Sequence, residues 1–372
     1  FANCDFYGGE NVTFDTGSDG FHSQGPCWNG RWTGTRGQSS DDMIAFTTTN
    51  LNFTQYDLPD ANGSFMNMQI SDVQEMQSAN HRCILIEANE GYGYSGIKID
   101  GVQAIHNGQN AVSITSQDAT TGFVQDISIR NISGGYNLAA AVNIGGPTAS
   151  GLLTIGTVSI DGITPRDPTT GVENVLVNGR VTIGKLLVNG LIQRPLSMKS
   201  AIRPTGANVT INQLIVTNCR GDLDLTNAAG NLQMLNLETG TFRHVVVRDC
   251  YLTGSGTTRN AQMVAITNPA TTTRIDIVNC YHDGNTYLFA PFTITNVPTV
   301  HLIGTVSNGL FVCSTSDSYN LAVDGIEIIA CSGGLAFNNG ATSKTFGIFA
   351  RGIKNTAGTT LFNYGTTNTF NV

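Results

Sequence analysis

The chain has 372 residues, a formal net charge of -8 and only 12% charged residues, where an ordinary globular chain has about a quarter. That charge, with no basic cluster in the sequence, argues against nucleic acid as a partner. Asn, Thr, Gly, Val and Ile stand where Lys and Glu are usual, which favours strands and tight turns; no stretch reads as an amphipathic helix or as an apolar run able to cross a bilayer.

The chain starts at "FANCDFYGG", with no initiator Met and no signal peptide, and reads like the middle of a structural unit. An N-terminal part is therefore expected to be missing. Next, "SDGFHSQG" sets Asp19 and His22 around Phe21, with His22 expected to project outward beside Asp19. "GPCWNGRWTG" holds both tryptophans of the chain, Trp28 and Trp32. Their flat apolar rings suit the face of a sugar as well as a packed core. "GQSSDDMIAF" then places two adjacent carboxylates, Asp41 and Asp42, at the head of an apolar strand. Neighbouring side chains on a regular strand point to opposite faces, so both acids reach one groove only if the chain bends in or after "GQSS". The connection that follows, residues 47–67, is longer than the others and is placed to wall a groove. "HRCILIE" brings His81 and Arg82.

From residue 97 one pattern recurs: alternating β-branched residues, then Asn, Asp or Gly. It appears as "IKIDG", "ISIRN", "VSIDG", "LLVNG", "LIVTN", "VVVRD" and "IDIVN", with the marker residues Gly101, Asn131, Gly162, Gly190, Asn218, Asp249 and Asn279 separated by 30, 31, 28, 28, 31 and 30. "VHLIG" and "IEIIA" continue it at shorter spacing. A second set of strands, among them "NAVSIT", "AAVNIG" and "QMVAIT", lies between the first. Short strands at a near-constant period predict an all-β fold, a right-handed parallel β-helix of about a dozen coils. Each coil adds one strand to every sheet, about 4.8 Å further along the axis. The helix is expected over residues 1–345, with a terminal coil and cap at 346–372. The eight cysteines show no CxxC pair and no zinc spacing, so they read as free core thiols. Cys219, Cys250 and Cys280 each follow a marker by one residue and should stack.

Laying the second strands over one another puts Phe21, Ile44, Ile84, Val112 and Val142 in one inward column. The residues two before it are Asp19, Asp42, Arg82 and Asn110, and those three before it are Ser18, Asp41, His81 and Gln109. Asp19, Asp41, Asp42, His81 and Arg82 thus come from three adjacent coils. Acids that close raise at least one pKa, which suits a general acid beside a general base, the pair that glycosidic hydrolysis needs. The plainer reading has Asp41–Asp42 capping a strand, Arg82 neutralising Asp42 and the tryptophans packing.

"DGFHSQGPCWNG" and "SSDDMIAF" resemble the DG…DD core of the pectate-lyase-like β-helix superfamily, in particular polygalacturonase-type glycoside hydrolases, and still more the β-helices of phage tailspikes and appendages. The resemblance implies Asp41 as the acid, with Asp42 and Asp19 as base, and His81 in the place of the family His; Arg82 is expected to hold an acidic group of the substrate, and His22, Trp28 and Trp32, from their place beside the acids, to touch it. His81 lies in the column of the family His but between Asn80 and Arg82 instead of glycines. The family's Arg-Ile-Lys is absent, which removes the clamp for a galacturonate carboxylate. The resemblance further implies a homotrimer on a virion tail or otherwise extracellular, with a host surface polysaccharide as partner and other tail proteins bound through the missing N-terminal part. It calls for no cofactor, no metal and no membrane insertion. Set against this depolymerase are a non-catalytic receptor-binding β-helix, a secreted polygalacturonase-like glycosidase or lyase, and a structural rod.

Overall fold

Strand follows strand along the chain, all of them parallel to the neighbours they bond, and among the described residues there is no helix. The computed structural model describes residues 5–7, 12–13, 19–39, 41–49, 62–75, 82–105, 110–117, 120–135, 140–165, 173–193, 200–224, 232–255, 261–266, 270–284, 292–295, 297–307, 311–314, 319–325, 327–328, 335–339, 345–355, 360–364 and 369–371. No helix among them is long and apolar enough to cross a membrane. The fold is a parallel β-solenoid.

The chain divides into two compact units, residues 1–187 with 208–210, and residues 188–207 with 211–372. In the first unit one sheet is the stack Phe21–Gln24, Ile44–Thr47, Ile84–Glu87, Val112–Thr115, Val142–Gly145 and Val175–Asn178. That is six turns. In the second unit the equivalent strands run from Ser200–Pro204 to Thr360–Tyr364, and a separate seven-stranded sheet runs from Ile192–Gln193 to Lys354–Asn355. The expected single stack of about a dozen coils is corrected accordingly: the solenoid of a unit has about six turns. Marker counting along the whole chain has no means of seeing where compact packing divides it.

The inward column holds in register. Phe21 pairs Ile44, Ile44 pairs Ile84, Ile84 pairs Val112, and Val112 pairs Val142. Ile44, Ile84, Val112 and Val142 are fully buried, each worth about 1.5–3 kcal/mol over an exposed side chain.

The marker residues have one backbone reason. Gly101, Asn131, Gly162, Gly190, Asn218, Asp249 and Asn279 all have φ between 52° and 74°. This left-handed bend is open to Gly and tolerated by Asn and Asp, while a β-branched residue there is strained. It bends the chain at the same point of successive coils, within the strand at Gly101, Asn131 and Gly162 and just past the strand end from Gly190 on. The side chains also bond between coils: Asn218 Nδ2 donates to Asn189 Oδ1 at 2.8 Å, and Asn279 Nδ2 to Asp249 Oδ1 at 3.3 Å.

Cys219, Cys250 and Cys280 are free, buried and one residue beyond these bends. Each thiol donates to a carbonyl of its own bend, to Thr217, Arg248 and Val278 at 3.3, 3.3 and 3.4 Å. The neighbouring Cys250 sulfur, and then burial, push the Cys219 and Cys280 thiols well up, so both stay protonated and act as core.

Candidate functional site

The site is built at the entry to the first three strands of the six-turn stack. Parallel pairing runs past the strand ends. Gly20 N donates to Asp42 O at 2.8 Å, and Met43 N to Arg82 O at 3.1 Å. Asp19, Asp42 and Arg82 therefore sit above one another, as the alignment of their strands predicts.

These positions form a ladder of side-chain rungs. Asp19 Oδ1 accepts from the backbone N–H of Asp42 at 3.0 Å. Asp42 Oδ1 accepts from the N–H of Arg82 at 3.1 Å. Further along, Asn110 Oδ1 accepts from the N–H of Ala140 at 3.1 Å. Each rung satisfies a backbone donor just before a strand begins, where the sheet has no carbonyl for it. Asp19 and Asp42 thus carry the capping role of the plainer reading, and Asn110 shows that an amide does the same work.

Asp41 is the neighbour of the rung Asp42. It lies in the bend just before the strand Ile44–Thr47, and Ser39 Oγ donates to its carbonyl oxygen at 2.9 Å. That bend breaks the alternation of a regular strand. One carboxylate oxygen from each of Asp19, Asp41 and Asp42 lies within 4.8 Å of the other two. Asp19 and Asp41 are half-buried, and Asp42 is 2% exposed.

Both oxygens of Asp42 face Arg82: Nε donates to Oδ1 at 2.8 Å and an Nη to Oδ2 at 2.9 Å. Burial pushes Asp42 up to about 6, against the pull of Arg82 and with the charges of Asp19 and Asp41 adding to the rise. Asp19 Oδ2 is 2.7 Å from His22 Nδ1. That bond, opposed by burial, raises the His22 pKa above its ordinary value. The other nitrogen, His22 Nε2, is 2.9 Å from Thr47 Oγ1.

Of the remaining expected contacts, Trp32 does not line this site. It is 2% exposed and packs edge-on against Phe46 at 4.7 Å, in a core that continues through Phe65 to Tyr94. Its ring braces the strand Ile44–Thr47 from inside. Trp28 is 47% exposed, on a different sheet, beside the exposed Met66 of the next strand. His81 and residues 50–61 of the long connection lie outside the described residues.

Two residues of the surroundings escape the sequence reading. Thr47 orients His22. Glu87, 7% exposed, accepts from Asn89 Nδ2 at 2.7 Å and Gln117 Nε2 at 3.0 Å, and its charge adds to the rise at His22. The signal for Glu87 was present, as a lone acid closing the apolar "ILIE".

Chemically, the arrangement offers three converging carboxyls, one of them held by an imidazole and one paired with a guanidinium. The 4.8 Å grouping is a span a cation can bridge, but Arg82 already takes both oxygens of Asp42. No family model, no curated protein and no solved structure matches this chain.

Proposed function

We propose that this chain is a depolymerase β-helix that hydrolyses a host cell-surface polysaccharide, carried as a homotrimeric spike on a phage tail. The observation that supports the reading is the convergence of one carboxylate oxygen from each of Asp19, Asp41 and Asp42 within 4.8 Å. Carboxylates this close hold a proton more tightly than a lone one; at Asp42 the charges of Asp19 and Asp41 add to a rise that burial dominates.

Asp41 gives its proton to the glycosidic oxygen as the bond from that oxygen to the anomeric carbon breaks. A water attacks the anomeric carbon and passes its proton to Asp19, which His22 and the Asp42 N–H hold in place. Asp42 and Arg82 fix the floor on which the two stand. The 4.8 Å grouping is closer than the usual carboxyl separations, about 5–5.5 Å for retaining and 6.5–9.5 Å for inverting enzymes, so the anomer of the product is read by NMR and not from the spacing.

The test is release of reducing ends from a bacterial surface polysaccharide that the protein binds. Asp41→Asn is expected to abolish release while leaving the solenoid folded. Normal release by that variant would overturn the assignment. A second reading, a receptor-binding module without turnover, is favoured by one fact: both oxygens of Asp42 are committed to Arg82. Tight binding with the polysaccharide left intact would support that reading instead.

A further inference from the structure

On the second unit the strands Thr241–Arg248, Thr271–Val278 and Thr299–Ile303 lie side by side in register. Their inward residues, among them Val245, Ile275 and Val300, are buried. Their outward residues, with Gln213, Ile215 and Thr217, line a groove of about 350 Å³. Across it the register sets His244 beside Arg274, Val246 beside Asp276 beside His301, and Arg248 beside Val278 beside Ile303.

Asp276 is 8% exposed and lies at the centre of this cluster. His244 Nε2 reaches its Oδ2 at 2.6 Å, and both His301 Nδ1 and Arg274 Nε reach its Oδ1 at 2.9 Å. Burial alone would raise this carboxyl, but the hydrogen bonds from Arg274 and His244 outweigh it and hold the pKa below the ordinary value. The carboxylate therefore stays charged and orients two imidazoles and a guanidinium around itself.

Charge is unbalanced here. One acid faces two arginines, with two histidines beside it, and the lining holds no second acid. A structural ion pair needs one cation. The second arginine, the exposed Arg248, borders a groove whose remaining lining includes an interleaved apolar set, Ile215, Val246, Val278 and Ile303, the last 41% exposed. Cationic donors beside an aliphatic strip fit a ring that is apolar on one face and carries a carboxylate at its edge.

We infer that this groove is a second saccharide site, which binds an acidic sugar through its carboxylate at Arg274, Arg248, His244 and His301, with the ring lying on Val246, Val278 and Ile303. It rests on residues of the second unit alone and stands whether or not Asp41 hydrolyses anything.

The experiment is calorimetric titration of the full chain carrying Asp41→Asn, so that no ligand is consumed. Three probes are used: a uronate-containing oligosaccharide, the same oligosaccharide with its carboxyls reduced to alcohols, and inorganic sulfate. The uronate is expected to bind at least about tenfold more tightly than the reduced form, and Arg274→Gln and Arg248→Gln are each expected to weaken it about tenfold. Arg248→Gln changes an exposed side chain, so it reads the site even if Arg274→Gln perturbs folding. Equal affinity for the reduced oligosaccharide, or unchanged affinity in the Arg248→Gln variant, would overturn the proposal. Sulfate binding as tightly as the uronate would overturn the saccharide part of it. Reducing-end release by the unmodified chain is measured separately, so failure at the Asp41 site is not mistaken for failure here.

Discussion

At the level of single residues, the two adjacent acids have different work. Asp42 caps the N–H of Arg82 and takes its guanidinium on both oxygens, while Asp41 is the acid proposed to give the proton. Removing Arg82 leaves a buried carboxylate without its guanidinium, a change that typically costs about 3–5 kcal/mol. Arg82→Ala is therefore expected to lower unfolding free energy by about 3 kcal/mol in urea titration, and a loss under about 1 kcal/mol would contradict the buried pair. Asp42 also sets a pH dependence. Its folded pKa of about 6 lies above the ordinary value of 3.8, so between those values the folded chain binds a proton that the unfolded chain has released. The group's contribution to stability thus falls as pH rises from about 4 to about 6. The stability difference between the unmodified chain and Asp42→Asn should decline across that window; a difference that is flat or rises there would contradict the shift. The alignment of columns made Asp19, Asp42 and Arg82 legible in the sequence, because parallel register propagates from Ile44 and Ile84 to the residues before them. The bend that turns Asp41 was only half legible: "GQSS" permits it, and the Ser39 Oγ bond to the Asp41 carbonyl forms it.

Among the elements, the decisive feature is the left-handed residue of the marker series, which lies inside the strands that hold Gly101, Asn131 and Gly162 and just past the strand end at Gly190, Asn218, Asp249 and Asn279. Gly162 has φ 74°, and a Cβ there would lie 3.3 Å from Asn131 Oδ1 on the coil before. Gly162→Val is expected to cost about 2 kcal/mol or more, while Asn131→Gly keeps the bend and should change stability by less than about 0.5 kcal/mol. Equal losses in the two variants by thermal unfolding would show that the bend is not what selects these residues. The markers were readable because the backbone admits so few residue types at that φ. The fate of Trp28 and Trp32 was not, because two tryptophans four residues apart carry no label for inside or outside. That is decided by the neighbours: Phe46 and Phe65 receive Trp32, and Trp28 stays exposed next to Met66.

For the whole molecule, a solenoid unit is held by contacts between successive coils, so one complete coil can be removed without altering register. Deleting residues 132–162 joins Asn131 to Ile163, which follows the bend at Gly162 as Ile132 follows the bend at Asn131. That variant is expected to remain folded, with a β-type circular dichroism spectrum and cooperative unfolding. A deletion of half that length puts core residues on the outside face and should not fold. Equal behaviour of the two deletions would contradict the coil as the repeating unit. The same repetition made the fold class plain from the sequence while hiding the partition into units, since the spacing of the markers barely changes between Gly162 and Gly190.

The central claim, that Asp19, Asp41 and Asp42 form a hydrolytic site for glycans, is tested most directly by isotope. The protein is incubated with its polysaccharide in water enriched in heavy oxygen, and the products are weighed by mass spectrometry. The account predicts shortened oligosaccharides that carry one heavy oxygen at each new reducing end, and none at all with Asp41→Asn. Intact polysaccharide, or shortened products that carry a new double bond and no label, would contradict it.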